Sequence, residues 1–321
     1  MKTVTKILLV AAALLVLAGA LLFTAVMAKN NWNFAALSTD DYVTNSYPVP
    51  KDIQSISIRT DTENIVFLPS DAKGCRVEIT EKKEEPHWVA VEDGTLRIEE
   101  PEKEDWSFSL SLPLAEPKIA VYLPKGEYAD LFIEESTGKI DIPEDFRFDS
   151  ISLTASTGDV SCRASAGGAI SIKTSTGDIC VENLTAEGLR LTVTTGRVEV
   201  RSVSCEGTVE VLVSTGKTEL VYVSCGSLTS PGSTGDITMK NVTAAGTVSV
   251  ERSTGDVRFE ACDAAELEIE TDTGDVKGSL LTEKVFIVRS DTGRIKVPES
   301  ITGGKCKVTT DTGAIEITVA N

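Results

Sequence analysis

The side chains able to do chemistry in this chain fall into columns set by a recurring glycine. Asp159, Asp178, Asp236, Asp256 and Asp275 each follow one, while Arg197, Lys217 and Arg294 occupy the same place in other repeats. Asp272, Asp291 and Asp311 each stand two residues before one. A calcium site needs several oxygens converging on one ion. Basic residues interrupt the first column, and the nonapeptide pattern of calcium β-rolls is absent. The cation candidate is therefore the group Asp272, Asp275, Asp291 and Asp311, because carboxylates stacked about 4.8 Å apart repel unless neutralised. Arg289 and Arg294 lie close enough in sequence to do the neutralising.

Seven cysteines (Cys75, Cys162, Cys180, Cys205, Cys225, Cys262 and Cys306) leave at least one thiol unpaired, and no CxxC spacing suggests zinc. Most sit where other repeats carry Val, Leu or Ala, so they read as small apolar fillers. Cys205 and Cys225 share a column, and the separation expected there permits a bridge. His87 is the sole histidine and reads as a loop residue between Pro86 and Trp88. No catalytic residue and no cofactor is implied. The charge of −18 also opposes nucleic-acid binding, which needs a positive surface to displace counterions.

The element that positions these columns is a Thr-Gly pair. Its glycines are Gly138, Gly158, Gly177, Gly196, Gly216, Gly235, Gly255, Gly274, Gly293 and Gly313, at intervals of 19 or 20 residues. Apolar residues recur two and four after each glycine and seven and five before it, as in Val198, Val200, Leu189 and Leu191 around Gly196. A weaker third set lies seven and nine after, as in Val203 and Cys205. Period-two alternation rich in β-branched residues predicts strands with one buried face. A unit this short has no room for a helix, so it predicts one coil of an all-β, parallel β-solenoid. The glycines are read as structural turn residues. The Ser, Thr or Asp two before each is expected to fix the turn through its side-chain oxygen.

Four segments follow from this reading. Residues 1–29 carry an apolar run from Ile7 to Ala28, long enough for a transmembrane helix. It is an uncleaved anchor in the membrane through residues 7–28, or a signal peptide whose loss would leave a secreted protein. Residues 30–50 form a linker, 51–135 an irregular β entry in which Glu63 takes a degenerate glycine position, and 136–321 the regular coils. The C-terminal strand, Ile315-Glu316-Ile317-Thr318-Val319, is expected to be an uncovered edge, with Ile315, Ile317 and Val319 facing a partner or a second copy.

The apolar N-terminal segment, the entry motif Val121-Tyr122-Leu123-Pro124-Lys125-Gly126 and the Ser-Thr-Gly-Asp-Val coils together resemble a bacterial family. This is the putative-adhesin β-strand-repeat domain of unknown function, and the resemblance covers roughly residues 50–321. It implies a single-pass bacterial membrane protein with its β domain outside the cytoplasm. The implied role is non-catalytic, adhesin-like or accessory to envelope stress, with an envelope protein or polymer as partner. A self-associating structural rod is the second reading. A carbohydrate-active β-helix enzyme is the third, and it needs a loop-walled acidic cleft that the coil lengths do not predict.

Overall fold

Alternating side chains of nearly constant period leave the backbone one economical solution, which is to wind and stack. The computed structural model describes residues 3–29, 32, 42–50, 52–70, 75–101 and 116–320. Among them are one helix, Thr3–Lys29, and strands that join into a single β-solenoid. Within the helix, Leu8–Lys29 is long and apolar enough to cross a membrane. The coils stack in parallel, so that Ile179, Val198, Thr218, Ile237, Val257 and Val276 form one continuous row. Each regular coil has three sides. Val209 and Val211 are buried on the first, Val198 and Val200 on the second, and Val203 and Cys205 on the third. One apolar core runs along the axis from Ile56 to Ile317.

Two corners hold this shape. At the Thr-Gly corner each glycine lies against the carbonyl of the glycine beneath it. A Cβ on Gly196 would stand 2.0 Å from the Gly177 oxygen, at a φ of +148°. The amide of each of these glycines except Gly293 in turn donates to the threonine carbonyl of the next coil, as from Gly196 to Thr215. The second corner lies six residues later, where Asn183, Ser202, Tyr222, Asn241 and Ala261 all adopt left-handed φ values of 51–55°. Asparagine tolerates that region, whereas tyrosine and alanine hold it at a cost of order 1 kcal/mol or more.

The entry region belongs to the same solenoid. Ser55–Thr60 and Asn64–Pro69 make its first coil, with Ile56 beside Leu131, Ile58 beside Ile133 and Ile65 beside Ile140. The Glu63 carbonyl lies under Gly138, 2.3 Å from where a Cβ would be. The far side of this coil is closed by Thr95–Glu99 and Lys118–Leu123. Beyond Lys118–Leu123 the pairing turns antiparallel, through Cys75–Lys82 and then Tyr42–Val49. Proline at position 48 in that outermost strand removes one amide from the ladder.

At the other end the coils do not stack in sequence order, which corrects the expected free edge. Gly304–Thr312 lies between Leu267–Thr273 on one side and Lys284–Thr292 on the other. Ile315–Val319 pairs with Val276–Leu280, and its first two residues also pair with Ile295–Lys296. Ile315 and Ile317 are therefore buried inside the rod, and Val319 is partly buried. Two threonine or serine contacts record the same order. Thr310 donates to the Gly274 carbonyl, and Ser290 to that of Gly313. The physical reason is the glycine pair 303–304. A Cβ on Gly304 would meet the Ala265 carbonyl at 1.8 Å, and one on Gly303 the Glu283 carbonyl at 1.8 Å. Only a backbone without side chains enters that slot, one coil on each side.

Gly196→Ala and Gly304→Ala should each destabilise the fold by about 1–3 kcal/mol, since a methyl group there must displace backbone. Ala261→Gly should stabilise it by about 0.5–1 kcal/mol by relieving the left-handed alanine. Thermal or denaturant unfolding of the three variants measures both signs.

Candidate functional site

The aspartates that follow the corner glycines hold backbone. The carboxylate of Asp159 accepts the amide of Asp178, and Asp178 that of Arg197. Asp236, Asp256 and Asp275 accept the amides of Asp256, Asp275 and Ala314 in turn. Each bond ties one coil to the next in space. A second fastener lies three residues before the glycine, where Thr174 and Thr271 donate to the carbonyls of Gly158 and Gly255. Most of the side-chain to backbone bonds between these corners come from these two columns. The residue two before the glycine, expected to fix the turn, is instead exposed in the regular coils.

The four candidate cation ligands do not converge. Asp272, Asp291 and Asp311 are exposed; Asp291 pairs with Arg289 at 3.0 Å and Asp275 with Lys277 at 2.8 Å. Among the described residues no three His, Cys, Asp or Glu side chains are placed to hold a metal ion. Among the described residues no disulfide forms, and Cys205 and Cys225 are not bridged. Their Sγ atoms turn to different carbonyls, that of Cys205 to Glu187 and Thr208 and that of Cys225 to Thr243. Burial pushes the Cys162 thiol up to about 12 and that of Cys225 to about 11, which leaves them unreactive at neutral pH.

The most concentrated chemistry lies at the entry, in residues the sequence pattern left as turn or loop. His87 is buried, and its Nδ1 and backbone amide both meet Glu81 Oε2, at 2.7 and 2.6 Å. Asn45 and Tyr47 donate to the other oxygen of Glu81, each at 2.7 Å. His87 Nε2 faces Glu63 Oε1 at 3.6 Å, and Glu63 also accepts from the Thr60 hydroxyl and the Thr62 amide. Histidine thus joins the capping strand Cys75–Lys82 to the first coil. Beside it, Glu135 is 2% exposed with neither carboxylate oxygen hydrogen-bonded.

Burial works to raise Glu63, but the facing His87 and hydrogen bonds from the Thr60 hydroxyl and the Thr62 amide outweigh it and hold the carboxyl at about 2. Burial works to lower His87, but Glu63 and Glu81 lift it above its ordinary value. Glu135 is driven up to about 8 by burial first and by the charge of Glu63 second. The arrangement is a clamp of two carboxylates about one imidazolium, with a third carboxyl, Glu135, held toward its neutral form beside it.

A second polar island interrupts the core midway. Arg252 is 3% exposed, and its guanidinium donates to the Ser230 and Glu251 carbonyls, the Ser230 hydroxyl and, at 3.4 Å, Thr218. Gly232 makes room, since a Cβ there would meet Arg252 Nη1 at 2.9 Å. Thr218 and Ser230 are the two polar interruptions of otherwise apolar columns, and the structure brings them to one side chain. Burial lowers Arg252 to about 10, so it stays charged at neutral pH with neutral acceptors around it.

Among the described residues the surface carries two open grooves. One of about 370 Å³ lies at the entry among Arg59, Asp61, Glu99, Glu100 and Glu134. Another, of about 550 Å³, runs over small residues of the third side from Ser224 to Leu281. A family model described as Toastrack DUF4097 matches residues 53–221 and 209–321, which is most of the chain. The chain belongs to that family. No curated protein matches this Toastrack chain. Among solved structures, a putative adhesin from Parabacteroides distasonis is similar at 12% identity, covering 85% of this chain and 98% of its own, with a TM-score of 0.43. One from Parabacteroides merdae is similar at 10% identity, over 76% of this chain and 98% of its own, also at 0.43. One from Bacteroides fragilis matches at 13% identity over 88% and 99%, at 0.37.

The Toastrack entry cluster should make stability depend on pH with a definite sign. Glu63 contributes above about pH 4.5, and its contribution is lost as pH falls toward about 2. His87 contributes fully below about pH 6.5 and less as pH rises through its raised value. Glu135 favours the fold below about pH 4.5 and withdraws that support as pH rises to about 8. Thermal melts should therefore peak between about pH 4.5 and 6.5. Glu135→Gln should remove most of the alkaline decline, stabilising the fold at pH 8 by about 1–3 kcal/mol relative to pH 4. An unchanged decline in that variant would refute the assignment.

Proposed function

We propose that this chain is a tethered, non-catalytic rod of the bacterial envelope. Its apolar helix anchors it in the membrane, and its β-solenoid stands outside the cytoplasm. There it binds an envelope protein or polymer, in an adhesin-like or envelope-stress accessory role. The observation that carries this reading is the pairing of a 22-residue span, Leu8–Lys29, with a rod whose polar side chains serve its own backbone. The carboxylates that follow the corner glycines are already engaged in holding coils together. The charge of −18 keeps the rod soluble and repels it from anionic surfaces, so its partner must be recognised by specific contact rather than by bulk attraction.

The test is protease treatment of intact protoplasts making the full chain, with the N-terminal sequence of the mature protein determined alongside. The expected result is a membrane-bound chain retaining residues 8–29 and losing its β-solenoid to externally added protease. A solenoid protected until the cells are lysed would overturn the reading. Release of a soluble chain beginning near position 29 would replace the anchor by a cleaved signal.

A further inference from the structure

The two ends of the solenoid are finished differently. At the entry end the first coil is covered and the ladder turns antiparallel, ending in a strand with proline at position 48. At the opposite end the outermost described coil, Lys284–Thr292 with Ile295–Lys296, pairs on one side only. Its core-facing columns are also uncovered. In Val257–Thr273 the corresponding residues Val257, Leu267 and Ile269 are each no more than 1% exposed. In the end coil Ile295 is 42% exposed, Phe286, Val288 and Val297 are only partly buried, and outward-facing Ile287 is 54% exposed. An open parallel edge joined to an exposed cross-section of core is a template for one more coil.

From this we infer that the edge Lys284–Lys296 is the contact through which two copies of this chain join end to end about a twofold axis. The surface it lacks is a coil with the same three-sided outline and apolar columns at the same places, and a second copy supplies that. The entry end presents an antiparallel strand interrupted by proline rather than a coil of matching outline, so the copies meet through the same edge, with their strands antiparallel. The charges suit that symmetry. Arg289 and Asp291 flank Ser290, and an axis at Ser290 sets each Arg289 opposite the partner's Asp291. This contact is independent of the envelope partner proposed above, and either can fail without the other.

Sedimentation of the full chain in detergent, over about two decades of concentration, reads the contact directly. The expected result is a monomer–dimer equilibrium with no larger species. Ile287→Lys combined with Ile295→Lys should weaken it about tenfold or more, because both positions lose apolar cover and gain like charges. Ile301→Lys makes the same exchange on a 95%-exposed side chain off the edge and should leave dimerisation unchanged. Arg289→Asp should weaken the dimer, and adding Asp291→Arg should restore it. Matching melting temperatures establish that each variant is folded. A chain that stays monomeric, or that forms filaments, overturns the inference. So does a dimer that Ile287→Lys with Ile295→Lys leaves intact, which would place association in the apolar helix.

Discussion

The contact on which the structure depends is between two backbones, the α-carbon of one corner glycine and the carbonyl oxygen of the glycine below. From Gly158 to Gly313 these approach so closely that an added methyl group would lie about 2 Å from oxygen. Such contact fixes the rise per coil at the strand spacing and forbids any side chain in the column. Everything else at the corner follows from that spacing. The aspartate after the glycine can reach the next amide, and the threonine three before can reach the glycine carbonyl, because the coils lie one strand apart. The corner is therefore a hydrogen-bonded seam along the rod, and its carboxylates are structural acceptors.

Much of this was legible in the sequence because a solenoid writes its geometry as a period. The three sides, the inward columns and the place of Glu63 under Gly138 all follow from counting out from each glycine. The order of the last coils was not legible, because their inward faces are equivalent and the period cannot tell which lies outermost. The one local signal was the pair Gly303-Gly304, which offers a backbone thin enough to pass between two others. The entry cluster was missed for a different reason. His87 follows a proline in a charged stretch and looks solvent-exposed, and only the folding of Cys75–Lys82 onto Lys118–Leu123 buries it against Glu81 and Glu63.

The polar groups inside the rod divide by how they are compensated. At the entry, opposite charges face one another and joining the cap to the first coil is the result. Midway, Arg252 has only hydroxyls and carbonyls, in a cavity that exists because Gly232 carries no side chain. A buried cation of this kind gives less stability than a well-packed apolar residue but penalises any shift of register, since its acceptors come from two different coils. The same logic explains why Thr218 and Ser230 break their columns together.

The interleaving of the final coils bears on how the protein comes into being. Stacked repeats ordinarily condense one after another, each newly emerged turn finding its seat on the one just completed. Here the stretch from 284 to 296 is made before the stretch from 304 to 319, yet ends farther from the core's origin. It must either wait unseated or first settle one level too low and be lifted when the later turn wedges beneath it. Completion of this tip therefore waits until residues 304–319 have been made.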